Sequence, residues 1–232
     1  MQTLNQAYFS KNILTYWLNQ YQQCDLLLES DHLSVFIDPN LDPQHQATKL
    51  TMDQKQVILL SQNLADSLVI HKDFNWQILN WHNHDQLFYY TEQQRETLKS
   101  RPKLYLIREL TENDHKIFAT FCERLPKDEF AQRNIQLNHA LVYGVFFYHQ
   151  LVAVASMESC DHHHKIMDLT VITLPNFRQQ GHAKRLIRSI SQHAILEGYE
   201  PQYRCHLNHS INIALAKSAG LSPLLEKAVI LN

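Results

Sequence analysis

The amino-acid sequence predicts a mixed α/β protein in two regions, and three observations carry that expectation. From about residue 103 onward, β-branched runs alternate with stretches of helical hydrophobic periodicity. All four glycines, Gly144, Gly181, Gly198 and Gly220, lie beyond residue 140, while the first hundred residues are rich in Gln, Asn, Leu and aromatics. Gly181 marks a turn between a β-branched run and an amphipathic stretch. The polar segment 94–102 holds the expected boundary, giving an α/β module over 1–102 and a second domain over 103–232.

In the first region Leu4, Ala7, Tyr8, Leu14, Trp17, Leu18 and Tyr21 recur at helical spacing, which predicts a helix over about 3–28. Residues 33–37 read as a strand ending at Asp38-Pro39. Val57, Leu60, Leu64 and Leu68 then predict a helix over about 52–70. Strand-like runs follow at 74–81 and 86–91, with a short polar helix before Pro102. No chemistry is readable in this region.

In the second region 104–109 is a strand, and Thr111 opens a helix to about Arg124 with a Thr-x-x-Asp capping pattern. The β-rich runs 140–148 and 151–158 form a hairpin around His149-Gln150, and 165–173 is a third strand. A helix over about 182–197 is ended by Gly198, with Pro201 beyond it. A short strand at 203–207, a helix at 210–219 closed by Gly220 and a last strand at 224–231 complete the series.

Composition narrows the function classes. With 232 residues, 44% hydrophobic and 19% charged, the chain reads as a globular protein able to bury a large core. A formal net charge of -2 gives no electrostatic reason to expect nucleic acid. Only Arg178, Lys184, Arg185 and Arg188 cluster, which suits a phosphorylated ligand as well as a solvated face. No apolar run reaches the length of a membrane span and the polar N-terminus lacks a signal-peptide core, so the expected location is the cytoplasm. Cys24, Cys122, Cys160 and Cys205 are scattered without metal-like spacing and are expected as reduced thiols.

The segment Arg178-Gln179-Gln180-Gly181-His182-Ala183 carries the chemistry. N–H groups entering the first turn of a helix have no internal partner, and the helix dipole puts partial positive charge there, so a diphosphate satisfies both. Gly181 lets the backbone approach a ligand and adopt dihedrals closed to other residues, and Arg178 can add a charge-assisted contact. Neither G-x-G-x-x-G nor G-x-x-x-x-G-K-[ST] occurs. Residues 167–183 instead resemble the acyl-CoA-binding motif of the GNAT superfamily of acetyl-CoA-dependent N-acyltransferases, which reads R/Q-x-x-G-x-G/A after a strand ending near a proline and an aromatic residue. Every defined position of the six is matched.

The order of predicted elements is also that family's, so the resemblance covers about 103–232. Tyr143-Gly144-Val145-Phe146 with Leu151-Val152-Ala153 resembles its central hairpin, and Tyr203-Arg204-Cys205 with Ala216-x-x-x-Gly220 its last motif. The resemblance implies a mixed, mostly antiparallel sheet with a splayed parallel strand pair, preceded here by a smaller α/β module. It implies an N-acyltransferase that moves an acetyl group from acetyl-CoA to a primary amine by direct attack on the thioester. Val171, Ile172, Thr173, Arg178, Gln179, Gln180, Gly181, His182, Ala183 and Asn208 are then the acetyl-CoA contacts, and a strand N–H near 171–173 stabilises the oxyanion.

An alkylammonium must lose a proton before it attacks. Asp168, where many members carry a basic carboxylate, and Glu158 on the neighbouring strand are the candidates, acting directly or through a water. Many members protonate the leaving thiolate with a tyrosine that in this chain is Ala216, and the frequent asparagine is shifted to Asn208 with His209 in its usual place. Tyr203 and Ser210 are the available substitutes, the alternative being departure of the thiolate without an acid. The expected partner is a small-molecule or peptide amine, with homodimerisation left open.

Asp161-His162-His163-His164 and His82-Asn83-His84 could suggest a metal, yet consecutive loop residues rarely converge on one ion, so none is expected. Cys205 reads as a small core residue, and Tyr8, Trp17 and Tyr21 as core aromatics. Two other readings stand beside the transferase: a non-catalytic acyl-CoA binder with a degenerate site, and an interaction protein whose first region recruits a partner.

Overall fold

The computed structural model describes residues 8–68, 70, 74–100, 102, 106–160 and 165–232. The chain forms two compact units, and it enters the first of them three times. One unit comprises 1–88, 204–210 and 223–232, and the other 89–203 and 211–222. Residues 89–102, grouped with the first module by the sequence reading, thus cluster with the second unit.

The first unit begins with α1 (Lys11–Asn19), β1 (Asp25–Glu29), β2 (Leu33–Ile37), β3 (His45–Met52), β4 (Lys55–Leu60), α2 (Gln62–Ser67) and β5 (His82–Tyr89). The long helix expected over 3–28 is only α1 among the described residues. Ser10 caps it by accepting from the Ile13 N–H, and the apolar run after Asp25 goes into strand. The helix expected over 52–70 is a hairpin followed by a short helix. Asp53 takes the left-handed conformation (φ 53°) between β3 and β4, and Val57-Ile58-Leu59-Leu60 are all buried, so both faces of the strand are covered. A strand buried on both faces loses its alternation, and the spacing of Val57, Leu60 and Leu64 imitates a helix. The run 74–81 is not a strand; a 3₁₀ turn at Trp76–Ile78, capped by Asn75, precedes β5. β2 runs parallel to β4, β4 antiparallel to β3, and β3 antiparallel to the chain's last strand, β11 (Ser222–Leu231).

The second unit contains α3 (Glu92–Lys99), β6 (Ile107–Glu109), α4 (His115–Glu123), α5 (Lys127–Arg133), β7 (Leu141–Phe147), β8 (Gln150–Ser159), β9 (Ile166–Thr173), α6 (His182–Leu196), the first residues of β10 (Glu200–His206) and most of α7 (Ser210–Ala219). The sequence reading missed α5, which starts after Pro126 and stops at Asn134 in the left-handed region (φ 44°). Tyr148 and His149, both at positive φ, form the hairpin turn, one residue earlier than expected. The order β10-β9-β8-β7-β6 is antiparallel except for the parallel β9–β10 pair.

Sheet residues alternate between two faces. Val142, Val154 and Ile172 form one face's core with Leu110, Phe121 and Leu125 of the α4 region. α6 buries Leu186, Ile187, Ile190, Ala194 and Ile195, the apolar stripe of an amphipathic helix. Each Leu or Ile of the stripe contributes about 1.5–3 kcal/mol when taken out of water, so the stripe fixes where the N-terminus of α6 stands.

Candidate active site

The turn before α6 has the geometry of an anion seat. After the 3₁₀ turn Pro175–Phe177, Gln179 and Gly181 both take the left-handed conformation, at φ 59° and 77°. Residues 178–181 are exposed. Gly181 occupies the N-cap position of α6 and has no side chain to cap the helix. Among the described residues, no protein acceptor engages the N–H groups of Gln180, Gly181, His182 or Ala183. Such donors need water or a ligand.

Side chains around the turn brace it. Arg178 donates through Nε to the Thr173 carbonyl (3.1 Å) and through Nη2 to Glu129 Oε2 (2.5 Å), so its guanidinium is already engaged. Arg185 Nη2 donates to the Gln180 carbonyl (2.9 Å), and Gln180 Nε2 to that of Asn176 (3.2 Å). His182 is only 5% exposed and packs near Phe147 and Phe177, with both ring nitrogens unpartnered. Burial, with Arg185 nearby, holds this imidazole below its ordinary pKa, so it is neutral at pH 7 and offers the turn its backbone N–H.

The strand leading into the turn opens on one side. The parallel ladder of β9 with β10 runs from Ile166 with Glu200 to Leu169 with Tyr203 and ends there, whereas the antiparallel ladder with β8 continues to Thr173 with Ala153. Val171 and Ile172 direct their side chains into core, and the Thr173 hydroxyl is buried without a partner. What Val171, Ile172 and Thr173 can offer a ligand is therefore chiefly main chain.

Asp168 and Glu158 are brought together. They are directly opposed across β9 and β8 and share a face with Ser156 and Gln202. Glu158 is exposed, 3.8 Å from His139 Nε2, while His139 Nδ1 meets the Ser156 hydroxyl at 3.0 Å. Gln202, the ladder neighbour of Asp168 on β10, donates to its carboxylate. Tyr203 is not part of this group. It is one residue further on, faces the opposite side of the sheet, and is 2% exposed. Asn208 lies in the first unit, in the turn after β10, where its N–H donates to His206 Nδ1. Ala216 is fully buried.

The metal candidates separate likewise. Residues 161–164 lie outside the described ones. His82 and His84 sit on β5, with His84 Nε2 3.1 Å from the Trp81 carbonyl. Burial pushes the Cys205 thiol up to about 11, which leaves it protonated and inert at neutral pH. Sequence reasoning missed Gln202, Glu129 and His139, because strand register and a tertiary contact, not local spacing, bring them to the site.

The sequence profile of the Acetyltransferase (GNAT) family matches residues 75–221, well over half of the chain. Among solved structures, a GNAT-family acetyltransferase from Colwellia psychrerythraea is 14% identical, with 66% of this chain and 57% of that one covered and a TM-score of 0.50. A GNAT-family protein from Novosphingobium aromaticivorans is 18% identical, with 63% of each chain covered and a TM-score of 0.46. An aminoglycoside 6′-N-acetyltransferase from Acinetobacter haemolyticus is 22% identical, with 51% and 91% covered and a TM-score of 0.37. The chain thus spans about three fifths of the length of the first two. No protein of curated function matches it in sequence. A mixed sheet with one parallel pair and an open turn of unpaired amides ahead of α6 is the setting in which that profile falls, and the chain belongs to the GNAT acetyltransferase family.

Proposed function

We propose that the protein is an N-acetyltransferase that moves the acetyl group of acetyl-CoA to a primary amine of a small molecule or peptide by direct attack on the thioester. The observation that carries this reading is the run of unpartnered N–H groups from Gln180 to Ala183, behind two left-handed residues. Unpartnered donors at a helix N-terminus fit a diphosphate. Arg178 supports this by bracing the turn against Glu129 and the strand end rather than by direct ligation. Val171, Ile172 and Thr173 would line the acyl arm with backbone groups where the ladder to β10 stops, and one of their N–H groups would face the developing oxyanion.

Asp168 is the proposed proton acceptor for the incoming ammonium, with Glu158 beside it holding positive charge near the reaction. Tyr203 is the proposed thiolate acid only if it can leave its buried position; with Ala216 in α7, departure of the thiolate without a protein acid is the simpler route. The cytoplasm is the compartment that suits four free thiols.

The decisive experiment follows thiol release from acetyl-CoA over a broad panel of primary amines, together with calorimetric binding of acetyl-CoA to the protein and to G181V. Saturable binding abolished in G181V, with amine-dependent thiol release, is the expected result. Equal binding by G181V would sink the reading, and binding without release on any amine would favour the non-catalytic acyl-CoA binder.

A further inference from the structure

The hairpin of β7 and β8 ends in an aromatic ring that the fold does not need. Tyr148 and His149 form a two-residue loop closed by the pairing of Phe147 with Gln150, and both take positive φ, 45° and 61°. Such loops favour Asn and Gly, because a Cβ crowds the backbone there and a bulky side chain makes the residue an outlier. Tyr148 is also 87% exposed, more than any other large apolar side chain among the described residues. A ring with so little burial to gain, at a position that disfavours it, does not owe its place to stability. The ring is nevertheless joined to the turn at 178–183. Tyr148 meets Phe147 edge-on with centroids 4.6 Å apart, and Phe147 meets Phe177 at 5.9 Å and His182 at 6.2 Å, also edge-on. Phe177 closes the 3₁₀ turn before the anion seat, and His182 is the first residue of α6. A row of rings thus runs from the seat to the hairpin tip, and its last member is open to solvent.

We infer that Tyr148 is a stacking platform for the purine base of the cofactor, so that the hairpin tip reads the nucleoside while the turn reads the diphosphate. The inference rests on the acetyl-CoA site proposed above. In that site the acyl arm takes the opening where β9 parts from β10, and the β7–β8 hairpin stands on the other side of β9. The arm of coenzyme A is aliphatic and leaves one end of the diphosphate. The nucleoside, with the only aromatic ring of the molecule, leaves the other. Exposed aromatic side chains hold bases by stacking, a contact that needs a flat open face and no hydrogen-bond code. Tyr148 supplies that face, and the ring contacts through Phe147 fix it relative to Phe177 and His182.

Calorimetry on the full chain tests this with two probes, CoA and inorganic diphosphate, on the parent, Y148N and Y148W. Y148N removes the ring and puts a residue suited to the turn in its place, so it is expected to melt no lower than the parent. It is expected to bind CoA about 5- to 100-fold more weakly, as loss of one base–aromatic stack implies, and to bind diphosphate as the parent does. Y148W keeps a flat face and is expected to hold CoA affinity near the parent's. Saturation-transfer NMR is expected to carry magnetisation from the aromatic protons of the parent to the adenine ring protons, and less in Y148N. Parent-like CoA binding by Y148N overturns the inference and leaves the transferase reading standing. Equal weakening of both probes also overturns it, since the tip would then act on the seat and not on a base. A parent that binds neither probe removes the transferase reading and this inference with it, a result distinct from the other two.

Discussion

In the proposed function Gly181 is the residue on which acetyl-CoA binding turns, for conformational more than steric reasons. A Cβ added there would stand 3.5 Å from the flexible end of Arg185, an ordinary contact, but φ of 77° is a conformation in which an L side chain costs roughly 1–2 kcal/mol. G181A is therefore expected to lower stability by about that amount while weakening acetyl-CoA binding, measurable by denaturant unfolding and calorimetry. Asp114 shows the same economy of single residues. Its hydrogen bond to Arg108, helped by one from the Thr111 N–H, holds its carboxyl down to about 2. A carboxyl depressed in the folded state stabilises the fold above its unfolded pKa of about 3.8, and that contribution is lost as pH falls toward about 2. D114N is expected to be less stable than the parent at pH 7 and equal to it at pH 2, as acid-dependent thermal melts would show. Because Arg108 is half exposed, solvent screening keeps the difference small.

Elements differed in how much of them the sequence could disclose. The turn at 178–183 was readable because the role proposed for it lies in consecutive backbone groups, and Gly181 and Gly220 marked helix ends where φ is indeed positive. The β3–β4 hairpin was misread because a doubly buried strand such as Val57-Ile58-Leu59-Leu60 carries no alternation. Gln202 was invisible for another cause, since its meeting with Asp168 depends on parallel strand register. α3 was anticipated as a polar helix, yet its attachment was not. Arg95 on α3 pairs with Glu200 at the start of β10, both buried, and Gln94 donates to the Ser222 hydroxyl at 2.9 Å. Removing one partner of a buried pair strands the other charge, so R95M is expected to cost about 3–5 kcal/mol in denaturant unfolding. An unchanged midpoint would show that Glu200 finds water or another donor.

For the whole molecule, ligand binding and folding are one equilibrium. Acetyl-CoA at about 100 times its dissociation constant is expected to stabilise the chain by about 2.7 kcal/mol, a rise of roughly 5–10 °C in melting temperature for a protein of this size. CoA should give a comparable rise and adenosine a small one if the diphosphate dominates recognition. The family profile reaches back to residue 75, well ahead of the predicted boundary at 102, and the second unit itself begins at residue 89. The first unit is assembled from the N-terminal stretch and two later returns of the chain, with β11 laid antiparallel on β3 from Glu226 with Thr51 to Leu231 with His45. A clone starting near residue 90 would leave the last strand without that neighbour, its hydrogen-bonding edge bare and prone to aggregate. Whatever the leading residues do, they are no detachable cassette: cutting them away strips β11 of the strand it is zipped to.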